Sequence, residues 1–189
     1  DAEGLVARHL ALKTGCREKF WHKNCVAIGL SAAFIEPLEA SAIFLVEAAA
    51  NMVADQFPRR RDSMKLVEKK FNRSFKFRWQ RTIEFIKLHY YLSKRQEPFW
   101  QANKAPASVP PGLLEKLQHW KHHPVSGYDF TDAYEPFAQE SYQFVLYGMG
   151  FEQDLEHNRS IYSNSSEAQS YFDRTELLKA HLISELPSN

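Results

Sequence analysis

Glu39 is the side chain that most demands a chemical explanation. It stands in the run Leu38-Glu39-Ala40-Ser41-Ala42-Ile43-Phe44-Leu45. A carboxylate in so apolar a stretch must find donors, face water or shift its pKa. At a helix N-terminus it would have backbone donors and could border a functional cavity; the plainer reading is ordinary capping and dipole work. Histidines stand at 9, 22, 89, 119, 122, 123, 157 and 181, and none forms H-E-x-x-H. The i, i+3, i+4 spacing of His119, His122 and His123 could turn two imidazoles to one helical face, but Pro124 follows at once and no carboxylate or thiol adjoins them in sequence. Cys16 and Cys25 are nine residues apart, which is not a zinc spacing, and read as reduced thiols of a cytoplasmic protein. No G-x-S-x-G elbow supports a serine triad. Gly148 and Gly150 make the only G-x-G, with no glycine at 153, so the chain carries no phosphate-cradling loop of its own.

Helices must position these groups. Pro37 suits a first helical turn, Glu36 and Glu39 favour a helix N-terminus, and Ile43, Val46, Ala50 and Val53 recur at three and four. The spacing predicts a helix over 37–56, ended by Pro58, with a short strand or apolar loop from Cys25 to Leu30. Asp62 or Ser63 is the expected N-cap of the next stretch, in which Met64, Val67, Phe71, Phe75, Trp79, Ile83, Ile86 and Tyr90 form one amphipathic stripe. Asn72 to Ser74 could divide it into two helices. Five of the nine prolines fall in 98–124, which reads as a rigid connector holding one short helix near Leu113 to His119. A helix from Asp132 to Tyr147 with Gly148 as its cap, a loop over 158–166 and a helix over 167–186, with Tyr171, Leu178 and Leu182 on one stripe, complete a mainly α chain.

With 189 residues, 44% hydrophobic and 25% charged, the chain is sized for one compact domain or a piece of a larger one. A net charge of +1 argues against a bulk polycation for nucleic acid. The charge is nonetheless uneven: net −2 over 1–58, +10 over 59–95 and −7 over 96–189. The basic middle could read phosphates, which keeps open a non-catalytic helical module that binds nucleic acid or an acidic protein; the plainer reading is a solvated helix face paired with acidic partners. No apolar run approaches the roughly 18 to 20 residues of a membrane span. The start DAEGLVARHL has acids at 1 and 3, no apolar core and no initiator Met, so a trimmed product or a fragment is expected rather than a signal peptide.

Three blocks carry a resemblance. The first runs Trp21-x-x-Asn24-Cys25-Val26-Ala27-Ile28-Gly29-Leu30-Ser31-x-x-Phe34-Ile35-Glu36-Pro37-Leu38-Glu39-Ala40-Ser41. The second is Leu88-His89-Tyr90-Tyr91-x-Ser93-x-Arg95-x-x-x-Phe99-Trp100, and the third Tyr142-Gln143-Phe144-Val145-Leu146-Tyr147-Gly148-Met149-Gly150. Together they resemble the flavin-dependent tryptophan halogenase family over most of 15–150. That family's glycine-rich flavin loop, W-x-W-x-I-P motif and lysine are not among these residues. The chain therefore looks like the C-terminal helical portion of an α/β flavoprotein, with 1–58 completing the flavin and halide site and 59–189 forming a helical substrate-side domain.

The resemblance implies an enzyme that uses reduced FAD, O2 and chloride or bromide. A flavin hydroperoxide there yields hypohalous acid, which travels to the lysine and halogenates an electron-rich, indole-like ring. Implied partners are the N-terminal FAD-binding portion, a separate flavin reductase that supplies FADH2 and an aromatic substrate; a homodimer is compatible, and these 189 residues alone are expected to be inactive. Glu39 falls on the catalytic glutamate, which activates the halogenating species or removes the ring proton. Ser41 and Ala42 fall on the halide-binding positions, where the family commonly has Thr-Gly. Leu30 and Ile43 fall on flavin contacts. Asp132, Pro136 and Phe137 stand where tryptophan-specific members place an acid and a Phe-Trp pair. Without that Trp a large stacking surface is lost, so indoles, phenols or a larger or carrier-bound aromatic are expected beside free tryptophan.

Overall fold

A computed structural model describes residues 13–155 and 164–187. His9, His157, the start DAEGLVARHL and most of the predicted 158–166 loop lie outside the described residues. The chain is mainly α. Four two-residue strands, β1 (Gly15–Cys16), β2 (Trp21–His22), β3 (Cys25–Val26) and β4 (Ala33–Phe34), form two small antiparallel pairs, β1 with β4 and β2 with β3. They precede α1 (Ser41–Asp55), α2 (Met64–Leu92), α3 (Pro98–Lys104), α4 (Pro111–His122), α5 (Gln139–Gly148) and α6 (Ser165–Glu185).

The predicted break at Asn72 to Ser74 does not occur; α2 runs unbroken for 29 residues. Asn72 is used laterally instead. Its side-chain oxygen accepts from the backbone N–H groups of Phe20 (2.8 Å) and Trp21 (2.9 Å), and its amide donates to the Trp21 carbonyl (2.8 Å). Every polar group of that amide thus serves the β2–β3 hairpin, and none competes with the helix ladder. Ser63 does precede α2, but its hydroxyl donates to the Arg60 carbonyl and caps nothing.

Two hydrophobic clusters hang on α2. Toward its N-terminal half, Phe71, Phe75 and Trp79 pack with Phe20, Trp21, Leu45 and Ala49. Toward its C-terminal half, Phe85 and Leu88 pack with Leu113, Leu117, Trp120, Tyr142 and Leu146. Contact along both halves of one helix lets α2 set the spacing of everything packed on it.

Four expectations are corrected. The helix expected over 37–56 begins at Ser41, because Ala40 adopts a left-handed backbone (φ 49) that cannot join a right-handed helix. Pro37 instead accepts from the Ala40 N–H in a tight turn, and Glu39 lies just outside the helix. The helix expected from Asp132 begins only at Gln139. Asp132 accepts from the Tyr134 N–H (2.9 Å) in an Asx turn, and Glu135 precedes a proline, which disfavours helical backbone. The 98–124 connector holds two helices rather than one, with Pro98 and Pro111 in their first turns. Gly148 is the last helical residue of α5, not its cap. The reversal falls at Gly150 (φ 74), where the Gly150 N–H reaches the Tyr147 carbonyl and the Phe151 N–H the Leu146 carbonyl, the two bonds of a Schellman motif. The predicted last helix is present as α6, with Tyr171, Leu178 and Leu182 exposed on it.

A buried ionic cluster ties α4 to α2. Glu84, 1% exposed, accepts from Gln80 (3.1 Å) and is paired with Arg81 (2.7 Å) and Lys116 (2.9 Å). Gly112 makes room for it, since a Cβ there would stand 2.8 Å from the Glu84 carboxylate oxygen. That carboxylate is held by three donors and cannot swing aside. Gly112→Ala is expected to lower stability by about 1–3 kcal/mol, read as an earlier urea midpoint.

Candidate functional site

Glu36, just before the Pro37–Ala40 turn, and Glu39, within it, present two carboxylates to two consecutive residues of α2. Glu39 Oε1 lies 2.8 Å from His89 Nε2, and Glu36 bonds the phenol of Tyr90. Burial, then the Glu36 charge, push the Tyr90 phenol up to about 12. Tyr90 in turn rests on Phe99 and Trp100, so the second sequence block forms the wall behind this turn.

His89 is bracketed by acceptors. Its Nδ1 lies 2.8 Å from the Phe85 carbonyl, and its Nε2 faces Glu39. A neutral imidazole carries one N–H and can satisfy only one of the two. The Glu39 side chain remains 31% exposed, so the pair meets solvent.

The start of α1 has no side-chain cap, because Ala40 occupies the N-cap position. The first N–H groups of a helix have no intrahelical partner, which leaves those of Ser41 and Ala42 as donors for an anion. Ser41 is buried and Ala42 exposed. Beside them Leu30 (79% exposed) and Ile43 (80% exposed) flank an apolar pocket of about 200 Å³, lined also by Ile28, Val46 and Trp79. Gly29 lets this wall approach α1: its backbone is left-handed (φ 63), and a Cβ there would sit 3.4 Å from Val46.

Residues 134–137 lie along one face of α2. Tyr134 covers the Arg78 guanidinium (5.2 Å), Glu135 pairs with Arg81 (3.1 Å), and Phe137 stacks on Phe85 (centroids 4.1 Å apart). Phe85 also meets the His89 ring edge-on at 5.2 Å. Phe137 is thus one aromatic ring from the Glu39–His89 pair, and Pro136 is beside it in the chain. Asp132 is not brought to that pair; it is exposed at the Arg78 end, where its charge acts on Arg78. Burial opposes ionisation of Glu84, but Lys116, Arg81 and Gln80 together hold its carboxyl below the usual range. Burial raises the Glu135 carboxyl despite Arg81, and its Oε2 is buried with no hydrogen-bond partner.

The basic segment 59–95 is not a uniform cationic stripe. Arg60 pairs with Asp62, Arg81 with Glu84 and Glu135, and Arg95 with Glu97. Lys87 is buried, its ammonium donating to Asn103 and Ser108, and burial lowers its pKa. His119 and His123 stack at 5.0 Å. The fold does bring carboxylates near that cluster, Asp129 to 3.8 Å from His119 and Asp154 to 3.8 Å from His122. Among the described residues no group of three or more His, Cys, Asp or Glu could hold a metal, and no helix is long and apolar enough to cross a membrane. Cys16 and Cys25 are free and exposed.

His89, Tyr90, Glu36, Phe85 and Glu135 emerge from the structure rather than from the residue reading. The available signal was two carboxylates three apart and an adjacent His-Tyr pair, but nothing in sequence joins positions fifty residues apart.

A family profile described as tryptophan halogenase matches residues 2–161. Tryptophan 6-halogenase SttH of Streptomyces toxytricini is 31% identical over 151 residues, 79% of this chain and 28% of that protein. Tryptophan 6-halogenase ThaL of Streptomyces albogriseolus is 38% identical over 105 residues, 55% of this chain and 20% of that protein. Among solved structures, a tryptophan halogenase from Shewanella frigidimarina superposes with a TM-score of 0.86 at 37% identity, covering 100% of this chain and 36% of that one. The flavin-dependent halogenase BrvH from Brevundimonas superposes at 0.78 with 29% identity, covering 92% and 35%. The chain thus spans well under half the length of the relatives it matches.

Glu84 predicts an acid dependence. Its folded pKa is below the unfolded value, so the cluster's contribution is complete above the unfolded carboxylate range and lost as pH falls through the folded pKa. Lys116→Met is expected to cost about 3 kcal/mol at neutral pH. The gap between variant and parent should narrow in acid, where Glu84 is protonated in both, as urea midpoints measured across the acid range would show.

Proposed function

The chain belongs to the tryptophan halogenase family, and we propose that it forms the C-terminal, helical part of a flavin-dependent enzyme that chlorinates or brominates an electron-rich, indole-like ring. Residues 1–58 complete the flavin and halide site, and 59–189 form the substrate side. When bound, reduced FAD with O2 and halide supplies the hypohalous electrophile. The residues present fit that chemistry: the uncapped first turn of α1 offers the Ser41 and Ala42 N–H groups to a halide, and the exposed Leu30 and Ile43 offer an apolar edge to a flavin.

Aromatic halogenation leaves a ring cation that must lose a proton, and Glu39 takes it in this reading. His89, itself held through Nδ1 at the Phe85 carbonyl, fixes the Glu39 carboxylate through Nε2 and keeps it aimed. Phe137 on Phe85 supplies an aromatic wall one helical turn from His89, and Pro136 shapes it. Asp132, remote from that pair, is left to orient a polar part of the substrate. A separate reductase delivers FADH2, the setting is cytoplasmic, and a homodimer is compatible with this reading. The observation that carries it is the Glu39–His89 contact at an uncapped helix start, beside the Phe85–Phe137 stack.

In the complete enzyme, Glu39→Gln should lower kcat by at least about 100-fold while leaving flavin binding nearly intact. His89→Gln should lower kcat by about 10- to 100-fold through misplacement of Glu39 and should alter the pH–rate profile. Stopped-flow turnover with indole and flavin titration check both; unchanged turnover in Glu39→Gln removes the assigned role.

A further inference from the structure

Two arginines stand three residues apart on α2 and are treated differently. Arg81 has two carboxylates, Glu84 and Glu135. Arg78 has none within ion-pairing distance among the described residues. Its guanidinium is held against the rings of Tyr134 (5.2 Å), Phe44 (5.5 Å) and Phe75 (6.0 Å), and its Nε is buried without an acceptor. Aromatic faces stabilise such a cation, but they do not satisfy its N–H groups. Burial disfavours the charge, and Tyr134 and Asp132 only partly offset that.

Arg78 opens onto a groove of about 480 Å³ lined also by Asn51, Gln56, Lys70, Arg73 and Tyr134. Asp55 is the one carboxylate in the lining, and it already accepts from the Gln56 amide (2.5 Å). Three cations thus face one carboxylate, with amide donors beside them. Forked guanidinium N–H groups, a lysine and amides on an aromatic floor form a donor set for a carboxylate or a phosphate.

The position says how such an anion could be used. Arg78 and His89 stand eleven residues apart on one unbroken helix, about 16 Å of rise, with residues 134–137 seated between them, so a substrate reaching both passes over that segment. A free aromatic amino acid carries its carboxylate only a few bonds from the ring and cannot span that distance with its ring beside Glu39. We propose that the Arg78 groove is an oxyanion subsite for the carboxylate or phosphate tail of a substrate larger than a free amino acid. This inference rests on the halogenase reading of the Glu39 site.

The test uses the complete enzyme and three probes: indole, indole on a flexible spacer of about 16 Å ending in a carboxylate, and the same spacer ending in a neutral amide. The parent should favour the carboxylate-ended probe over the amide-ended one by about tenfold in kcat/KM, and Arg78→Gln should erase the preference. A Lys70→Gln, Arg73→Gln double variant, altered only at the exposed rim, should reduce it. Lys65→Gln, which removes a charge on the same helix outside the groove, should retain it. Inorganic pyrophosphate should bind by calorimetry and lose about tenfold in affinity in Arg78→Gln. Equal rates for the two tailed probes while indole is halogenated, or a preference that survives Arg78→Gln, overturn the subsite. Pyrophosphate binding without a tail preference overturns it as well, and shows a free-anion site instead. If indole itself is not halogenated, the halogenase reading has failed, and calorimetry alone decides whether the groove binds an oxyanion.

Discussion

The continuity of α2 is the constraint on which the rest depends. Twenty-nine residues in one helix span about 42 Å, and both hydrophobic clusters are built against it. Arg78, Arg81, Phe85 and His89 recur at three and four, so they share a face whose spacings the backbone ladder holds. Tyr134, Glu135, Phe137 and Glu39 each engage one of those four. A break near Asn72 would disturb the anchor of the β2–β3 hairpin on α2. The Asn72 amide bonds outward to the hairpin, and the helix that bears it stays whole.

The ionic cluster at Glu84 does for α4 and residues 132–137 what Asn72 does for the hairpin. Removing one partner from a buried ion pair costs far more than the pair contributes net. Here the arrangement is strongly specified: Gln80, Arg81 and Lys116 satisfy Glu84, Gly112 leaves space for it, and Arg81 spends its remaining capacity on Glu135. Because Arg81 serves both carboxylates, the register of 132–137 on α2 is tied to the seating of α4. The Phe85–Phe137 stack, a weak contact alone, is placed by that stronger one.

Much of this was legible in the chain. The three-and-four spacing from Met64 to Tyr90 showed α2, and the long block around Glu39 showed the family. Boundaries failed where a local rule had two outcomes. The first-turn rule was applied to Pro37, where the left-handed Ala40 stands between the proline and the helix, and not to Pro98 and Pro111, where it holds. The helix was expected to start at Asp132, but the Asp132 side chain and the pre-proline Glu135 favoured a turn. The glycine that ends α5 was sought at 148, and the left-handed one is 150. His89 stayed hidden as the partner of Glu39 because no periodicity reaches across fifty residues and a turn-to-helix contact.

Glu39 began as a carboxylate with three outlets: donors, water or a shifted pKa. The fold supplies the first from a distance, through His89, and the second in part, through its remaining exposure. That solution has a consequence for the helix beside it. Had Glu39 capped α1, its oxygens would have occupied the free N–H groups of the first turn. With Ala40 at the cap and Glu39 turned to His89, those donors stay available to another anion a few residues away. In the proposed reaction, a carboxylate that must accept a proton and a halide that must be held would otherwise compete for the same positive helix end. The left-handed Ala40 separates them: imidazole for the carboxylate, peptide N–H for the halide. On the proposed reading, the strained backbone at Ala40 keeps two negative charges on different partners.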